Sequence, residues 1–165
     1  MPLRDPLLAE LEQEAAVTRR TLERVPDGRF EYRPHPKSFT LGALAQHLAT
    51  IPMWGAMTLR TPELDLSGPF PEETDASAEA VLARLDRNLA DFRAALAEAS
   101  DETLLAPWTL RTGDKVHFTM PRLAVIRGLV MNHGVHHRAQ LGVYLRLLDV
   151  PVPAMYGPSA DEAGF

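Results

Sequence analysis

Three of the chain's six histidines stand in the run Asn132-His133-Gly134-Val135-His136-His137-Arg138. At about 100 degrees per residue, His137 lies about 40 degrees from His133 around a helix axis, and His136 about 60 degrees to the other side. On the same wheel Ile126, Leu129, Val130, Leu141, Tyr144, Leu147 and Leu148 centre an apolar stripe about 20 degrees from His133, toward His137. His133 and His137 therefore face a core, and His136 its edge. His47 repeats the anomaly, with Leu44 before it and Ile51 and Trp54 after it at helical spacing. Imidazoles inside a core cost free energy unless their nitrogens find partners. Hydrogen-bonded core histidines are one explanation of such spacing. A divalent metal is the other: a pair at i and i+4 with a third ring from a facing helix makes a triangular donor set. Three neutral ligands leave coordination positions for water or substrate, as in a catalytic site. Gly134 occupies the place of the general-base Glu in His-Glu-x-x-His, so metalloprotease chemistry is not encoded. His35 and His117 have no partner spacing and read as exposed.

Other chemistry is narrowed by composition. There is no cysteine, hence no disulfide, no thiolate ligand and no protein thiol nucleophile. Seventeen Lys plus Arg against twenty-two Asp plus Glu give a net charge of −5, which argues against a nucleic-acid partner. Arg19, Arg20 and Arg24 read as solvated helix surface. The first residues are acidic and amphipathic, unlike a signal peptide, and Arg127 interrupts the most apolar segment well short of the roughly 20 residues of a membrane span. The expectation is a cytoplasmic protein without a membrane partner. The 165 residues, 45% of them hydrophobic, are expected to form a single domain over 1–165.

Four segments with helical periodicity must position these side chains. In the first, Leu8, Leu11, Ala15, Thr18, Leu22 and Val25 make a three-four seam, which Pro26-Asp27-Gly28 stops. Pro34 and Pro36 then disfavour helix, and Ser38 or Thr40 is placed to cap a second helix reaching about Arg60. Residues 61–74 are rich in proline and predict a long irregular crossover. A third helix is expected over about 76–99, with Leu82, Leu85, Leu89, Phe92 and Leu96 as its seam. Residues 108–118 read as a small hairpin turning at Gly113-Asp114. Thr119 and Pro121 look like the start of a fourth helix continuing to about Leu148, where Pro151 and Pro153 end it. With no sizeable sheet in view, an all-α four-helix bundle is the simplest way to bury four seams, and the long loop leaves simple up-down topology open.

Leu44-Ala-Gln-His47-Leu, Asn132-His-Gly-Val-His-His-Arg-Ala-Gln-Leu141 and the tail Tyr156-Gly-Pro-Ser-Ala-Asp-Glu162 resemble the DinB-like family of metal-binding four-helix-bundle proteins, whose superfamily includes bacillithiol- and mycothiol-dependent transferases. The resemblance implies that His47, His133 and His137 bind a divalent metal, zinc or nickel in the first instance, and that the protein is a homodimer. Ala139 departs from the family's His-Arg-Gly-Gln but keeps a small residue there.

The resemblance suggests a metal-dependent transferase in which a low-molecular-weight thiol, deprotonated at the metal, meets a small-molecule electrophile. Arg138 is then a candidate for a carboxylate of the thiol, with a structural ion pair to a neighbouring helix as the alternative. A second reading is hydrolysis by metal-bound water, which needs a proton acceptor. Glu162 reaches the site only if the tail folds over it, and Gln140 lies on the right face but is not a base. A third is a non-catalytic metal-binding stress protein. Tyr144 and Trp54 read first as core packing, and for Asp161 and Glu162 capping or hydrogen-bonding the bundle end explains their place as well as substrate contact does.

Overall fold

Amphipathic periodicity becomes three long helices and a composite fourth in a computed structural model that describes residues 1–69 and 75–163. The long helices are α1 (Arg4–Leu22), α2 (Leu41–Arg60) and α3 (Ala78–Glu98), followed by a short α4 (Asp101–Leu105). The last helical stretch runs without a break through α5 (Arg122–Val125), a wider-turned π segment (Ile126–Asn132) and α6 (His133–Leu147). The chain is mostly helical, but it also carries a small sheet of β1 (Glu63–Asp65), β2 (Pro107–Thr112) and β3 (Lys115–Pro121).

Helix boundaries follow local chemistry. The Thr40 hydroxyl accepts from the Ala43 N–H and opens α2, while Ser77 does the same for α3 through Ala80, each satisfying a donor that the first turn orphans. Of the two caps the sequence offered for α2, Thr40 is the one used. Helix α2 continues through Pro52, whose missing N–H breaks the local ladder. Asn88 on α3 donates to the Ala49 carbonyl at 2.9 Å beside that break. Gly55 is required one turn on, because a Cβ there would stand 2.6 Å from the Phe92 ring.

Ion pairs and hydrogen bonds between helices fix their directions. Arg4, Glu12 and Arg19 of α1 meet Ala99, Arg93 and Asp86, so α1 and α3 are antiparallel. Ala49 and Arg60 of α2 meet Asn88 and Asp91 of α3, so these two run parallel. Glu10 and Glu14 meet Arg127 and Arg138, which sets the last helix parallel to α1. The order is up, down, down, up, and the connection between α2 and α3 is accordingly a crossover. Leu11, Leu44, Leu48, Leu85, Phe92, Ile126 and Leu141 meet in the core between them.

Four sequence expectations need correction. The crossover is not wholly irregular: β1 pairs in parallel with β2, through Glu63–Thr109 to Asp65–Arg111, while residues 70–74 of it lie outside the described residues. The hairpin forms, with Gly113 at φ 55° in its turn, but it extends through Thr119 to Pro121. The last helix therefore begins at Arg122, beyond the proposed Thr119 cap, and Thr119 pairs instead with Thr109 across the strands. Leu7 rather than Leu8 is buried at the start of the α1 seam. Arg122 ties the sheet to the helices by donating to the Thr58, Thr61 and Pro107 carbonyls, a cation against the negative C-terminal end of α2. Among the described residues no helix is long and apolar enough to cross a membrane.

Candidate metal centre

The three rings picked out by periodicity converge. His47 comes from the second turn of α2, and His133 and His137 from the first two turns of α6, where the i, i+4 spacing stacks them on one face. The Nε2 of His133 lies 3.3 Å from Nε2 of His47 and 2.8 Å from Nε2 of His137. The outer nitrogens point elsewhere. His133 Nδ1 lies 3.2 Å from the Leu129 carbonyl, which can only accept, so the ring proton is on Nδ1. His137 Nδ1 lies 2.8 Å from Gln140 Oε1 and donates to it.

In these tautomers the inner nitrogens of His133 and His137 are both bare lone pairs, facing one another at hydrogen-bond distance with no proton between them. A cation in the gap turns that repulsion into ligation. At metal–nitrogen distances of about 2.0–2.1 Å, two ligands sit about 2.9 Å apart at a right angle and about 3.4 Å apart at the tetrahedral angle. The observed spacings fall beside these two values. The residues present therefore fit a divalent ion, and the three histidines are positioned to hold one.

Electrostatics keep the rings in the ligating state. Burial, and after it the neighbouring His137 and His133, push His47 down to about 4. His133 and His137 are also lowered, chiefly by burial, with the Leu129 carbonyl and Gln140 opposing part of the shift. Neutral imidazoles at neutral pH are ready donors. Among the described residues, no carboxylate shifts these three rings.

Aromatic rings wall the triangle. Phe39, half-exposed on the loop before α2, stacks against His47 at 5.8 Å between centroids and edges onto His137. Trp54 stands 6.0 Å from His47 and 5.8 Å from His133, so it is a wall of the site as well as a packing residue. A hollow of about 320 Å³ opens on the His137 side, lined by Lys37, Ser38, Phe39, His137, Gln140 and Tyr144. Tyr144 is buried and donates to the Phe39 carbonyl at 3.1 Å, which ties the loop over the mouth.

Other candidates lie apart from the triangle. His136 is exposed, with its ring 4.9 Å from that of His137 but outside the donor group. His35 and His117 are exposed, engaged with Lys37 N–H and the Thr112 hydroxyl. Arg138 is 1% exposed and turned to α1. Its guanidinium donates to the Glu14 carboxylate at 2.6 Å, the Glu14 carbonyl at 3.1 Å, Thr18 Oγ1 at 3.0 Å and the Tyr156 hydroxyl. This is the ion pair with a neighbouring helix that the sequence left open. Asp161 and Glu162 hold the tail down through Arg146, Arg24 and the N–H groups of Val152 and Ala154, so Glu162 does not fold over the histidines. Sequence reasoning missed the wall role of Phe39 and the anchoring of His137 by Gln140. The second had a local signal in its i, i+3 spacing; the first came from a proline-rich loop without periodicity.

A family model, the DinB family, matches residues 2–163. The chain belongs to the DinB family. It is 28% identical to the uncharacterized protein YrdA of Bacillus subtilis, over 96% of this chain and 90% of that one. Among solved structures it is similar to the DinB-like protein YjoA of Bacillus subtilis, with a TM-score of 0.69 and 17% identity over 90% of this chain and 96% of that one. A DinB-like protein of Bacillus cereus gives a TM-score of 0.64 and 24% identity, over 88% of this chain and 92% of that one. These two likenesses concern the DinB fold alone.

Proposed function

We propose that this DinB protein is a metal-dependent transferase joining a low-molecular-weight thiol to a small-molecule electrophile. Its resident ion is zinc or nickel, held by His47, His133 and His137. It works as a single four-helix-bundle domain over 1–165, as a cytoplasmic homodimer, without nucleic acid or membrane as partner.

The observation that carries the reading is the pair of unprotonated Nε2 atoms facing each other, with their outer nitrogens engaged by Leu129 and Gln140. A bound divalent ion favours the deprotonated form of a thiol at neutral pH. The chain supplies no thiol of its own, having no cysteine, which suits a reaction whose thiol arrives as a substrate. Phe39 and Trp54 shield the donors from water on two sides, and Gln140 and Leu129 orient the rings. The hollow on the His137 side is the entry for the thiol. Its cation is Lys37; Arg138 is spent on α1 and the tail. The hydrolytic reading needs a proton acceptor at this mouth, and Glu162, the carboxylate offered for it, is paired with Arg24.

The test is to load the purified protein with zinc or nickel and follow disappearance of an alkyl halide against a panel of small thiols. Thiol-dependent consumption that vanishes with the metal is expected. Turnover of esters or amides without thiol would instead establish the hydrolase, and stoichiometric metal with neither activity would establish a non-catalytic metal-binding stress protein.

A further inference from the structure

Trp54, a wall of the donor triangle, also lines a cavity of about 90 Å³ between α2, the sheet and the π segment. Trp54, Met57, Leu64, Trp108, Leu110 and Leu129 form most of its wall. The polar atoms around it are already engaged. Thr58 Oγ1 donates to the Trp54 carbonyl at 2.7 Å, and Trp108 Nε1 is turned to Thr61 Oγ1. An occupant thus finds only apolar side-chain surface to touch, so water gains little there. The volume is smaller than the ~150 Å³ void that accepts a benzene ring, which selects a short alkyl group over an aromatic one.

The π segment is what gives this cavity its place. Its wider turns supply Leu129 and Val130 to the wall, and the carbonyl of the same Leu129 takes the Nδ1 proton of His133. Such wide turns inside α-helices recur at functional sites. Trp54 touches both compartments, with its ring within 6.0 Å of His47 and His133. We propose that this cavity is the specificity pocket of the site and takes a short, unbranched alkyl substituent of the electrophile, while the donor triangle holds the thiol. The assignment rests on the transferase reading above. In the transfer, the thiolate sulfur forms a bond to the electrophilic carbon, the carbon–halogen bond breaks with its electron pair leaving as halide, and the thiol proton passes to solvent.

The chain's two tryptophans, Trp54 and Trp108, both line the cavity, so intrinsic fluorescence reports on its occupancy. Quenching by 1-bromopropane should saturate in wild-type protein, with or without metal, and affinity along the bromoalkane series should rise about fourfold per methylene until the cavity is full. Leu110→Phe fills the space and should weaken binding at least tenfold. Leu66→Phe, at a half-exposed wall position that tolerates bulk, gives the same reading if the first variant folds poorly. Quenching that rises linearly with concentration, or is unchanged in both variants, overturns the proposal. Thiol-dependent bromide release separates the two readings: saturable quenching without any release sinks the transferase and leaves the alkyl pocket standing, and release without saturable quenching does the reverse.

Discussion

His137 and Arg138 are consecutive residues, both buried, and they bury polarity in opposite ways. Around Arg138 the donors and acceptors match: a guanidinium meets a carboxylate, a hydroxyl, a carbonyl and the Tyr156 phenol, and that phenol in turn donates to Glu14 at 2.7 Å. Among the described residues, Arg138 Nε alone lacks a partner there. Around His137 the inner nitrogens do not match, because acceptor faces acceptor. A buried polar cluster that satisfies itself is scaffold, and one that turns its lone pairs inward is built for a cation from outside. The two clusters should therefore respond to mutation with different observables.

The largest expected effect is on metal content. His133→Leu removes the ring that both other histidines approach, and elemental analysis of the purified variant should fall from about one equivalent of metal per chain to background. The same substitution removes the lone-pair conflict, so metal-free His133→Leu should melt no lower than metal-free wild type. Full metal occupancy in a triple alanine variant of His47, His133 and His137 contradicts the assignment outright. Glu14→Ala inverts the pattern. It leaves Arg138 charged and buried, which costs about 3–5 kcal/mol, and denaturant unfolding should show that loss while metal stoichiometry stays at wild type.

Gln140→Leu sharpens the boundary between the two clusters. It frees His137 Nδ1 without touching a donor nitrogen, and loss of such an orienting partner typically costs about 10–100-fold in metal affinity. Competition with a chromogenic chelator reads this directly, and Gln140→Glu should recover part of the loss, because its carboxylate also accepts from Nδ1. An unchanged affinity in Gln140→Leu would show that backbone packing alone orients the ring.

What the sequence revealed about these clusters follows the range of the interactions. His133 and His137 were legible because they, Leu141, Tyr144 and Leu147 share one regular helix whose periodicity is local, while Ile126, Leu129 and Val130 on the same wheel belong to the π segment before it. His47 was legible as one polar residue in the apolar stripe of α2. The π segment itself, Ile-Arg-Gly-Leu-Val-Met-Asn, has no distinguishing local signal. Strand β1 was hidden for a different reason: Glu63-Leu64-Asp65 is too short to alternate, and its parallel pairing with β2 depends on a chain segment more than forty residues away. The partners of Arg138 lie on α1 and in the tail, so the sequence offered only the alternative of a pair, without naming Glu14 or Tyr156. The parallel course of α2 and α3 was likewise undecided, because a long loop permits either direction.

The smallest expected effect is on pH dependence. Ordinary imidazoles place proton competition for the metal near pH 6, but burial lowers all three rings, His47 to about 4. Metal release should accordingly move below about pH 6, which a titration of bound metal against pH checks. The metal-free protein has its own, weaker dependence. A histidine whose folded pKa lies below its unfolded value binds fewer protons folded than unfolded between the two. Its neutral form therefore contributes stability that is present above about pH 6.5 and is lost as pH falls toward 4. The melting temperature of metal-free wild type should decline across that window more than that of the triple alanine variant, while Glu14→Ala should keep the wild-type slope on a lower baseline. Equal slopes in wild type and the triple variant would mean that the imidazoles are as well solvated folded as unfolded, and would dissolve the distinction between a cluster that needs a cation and one that does not.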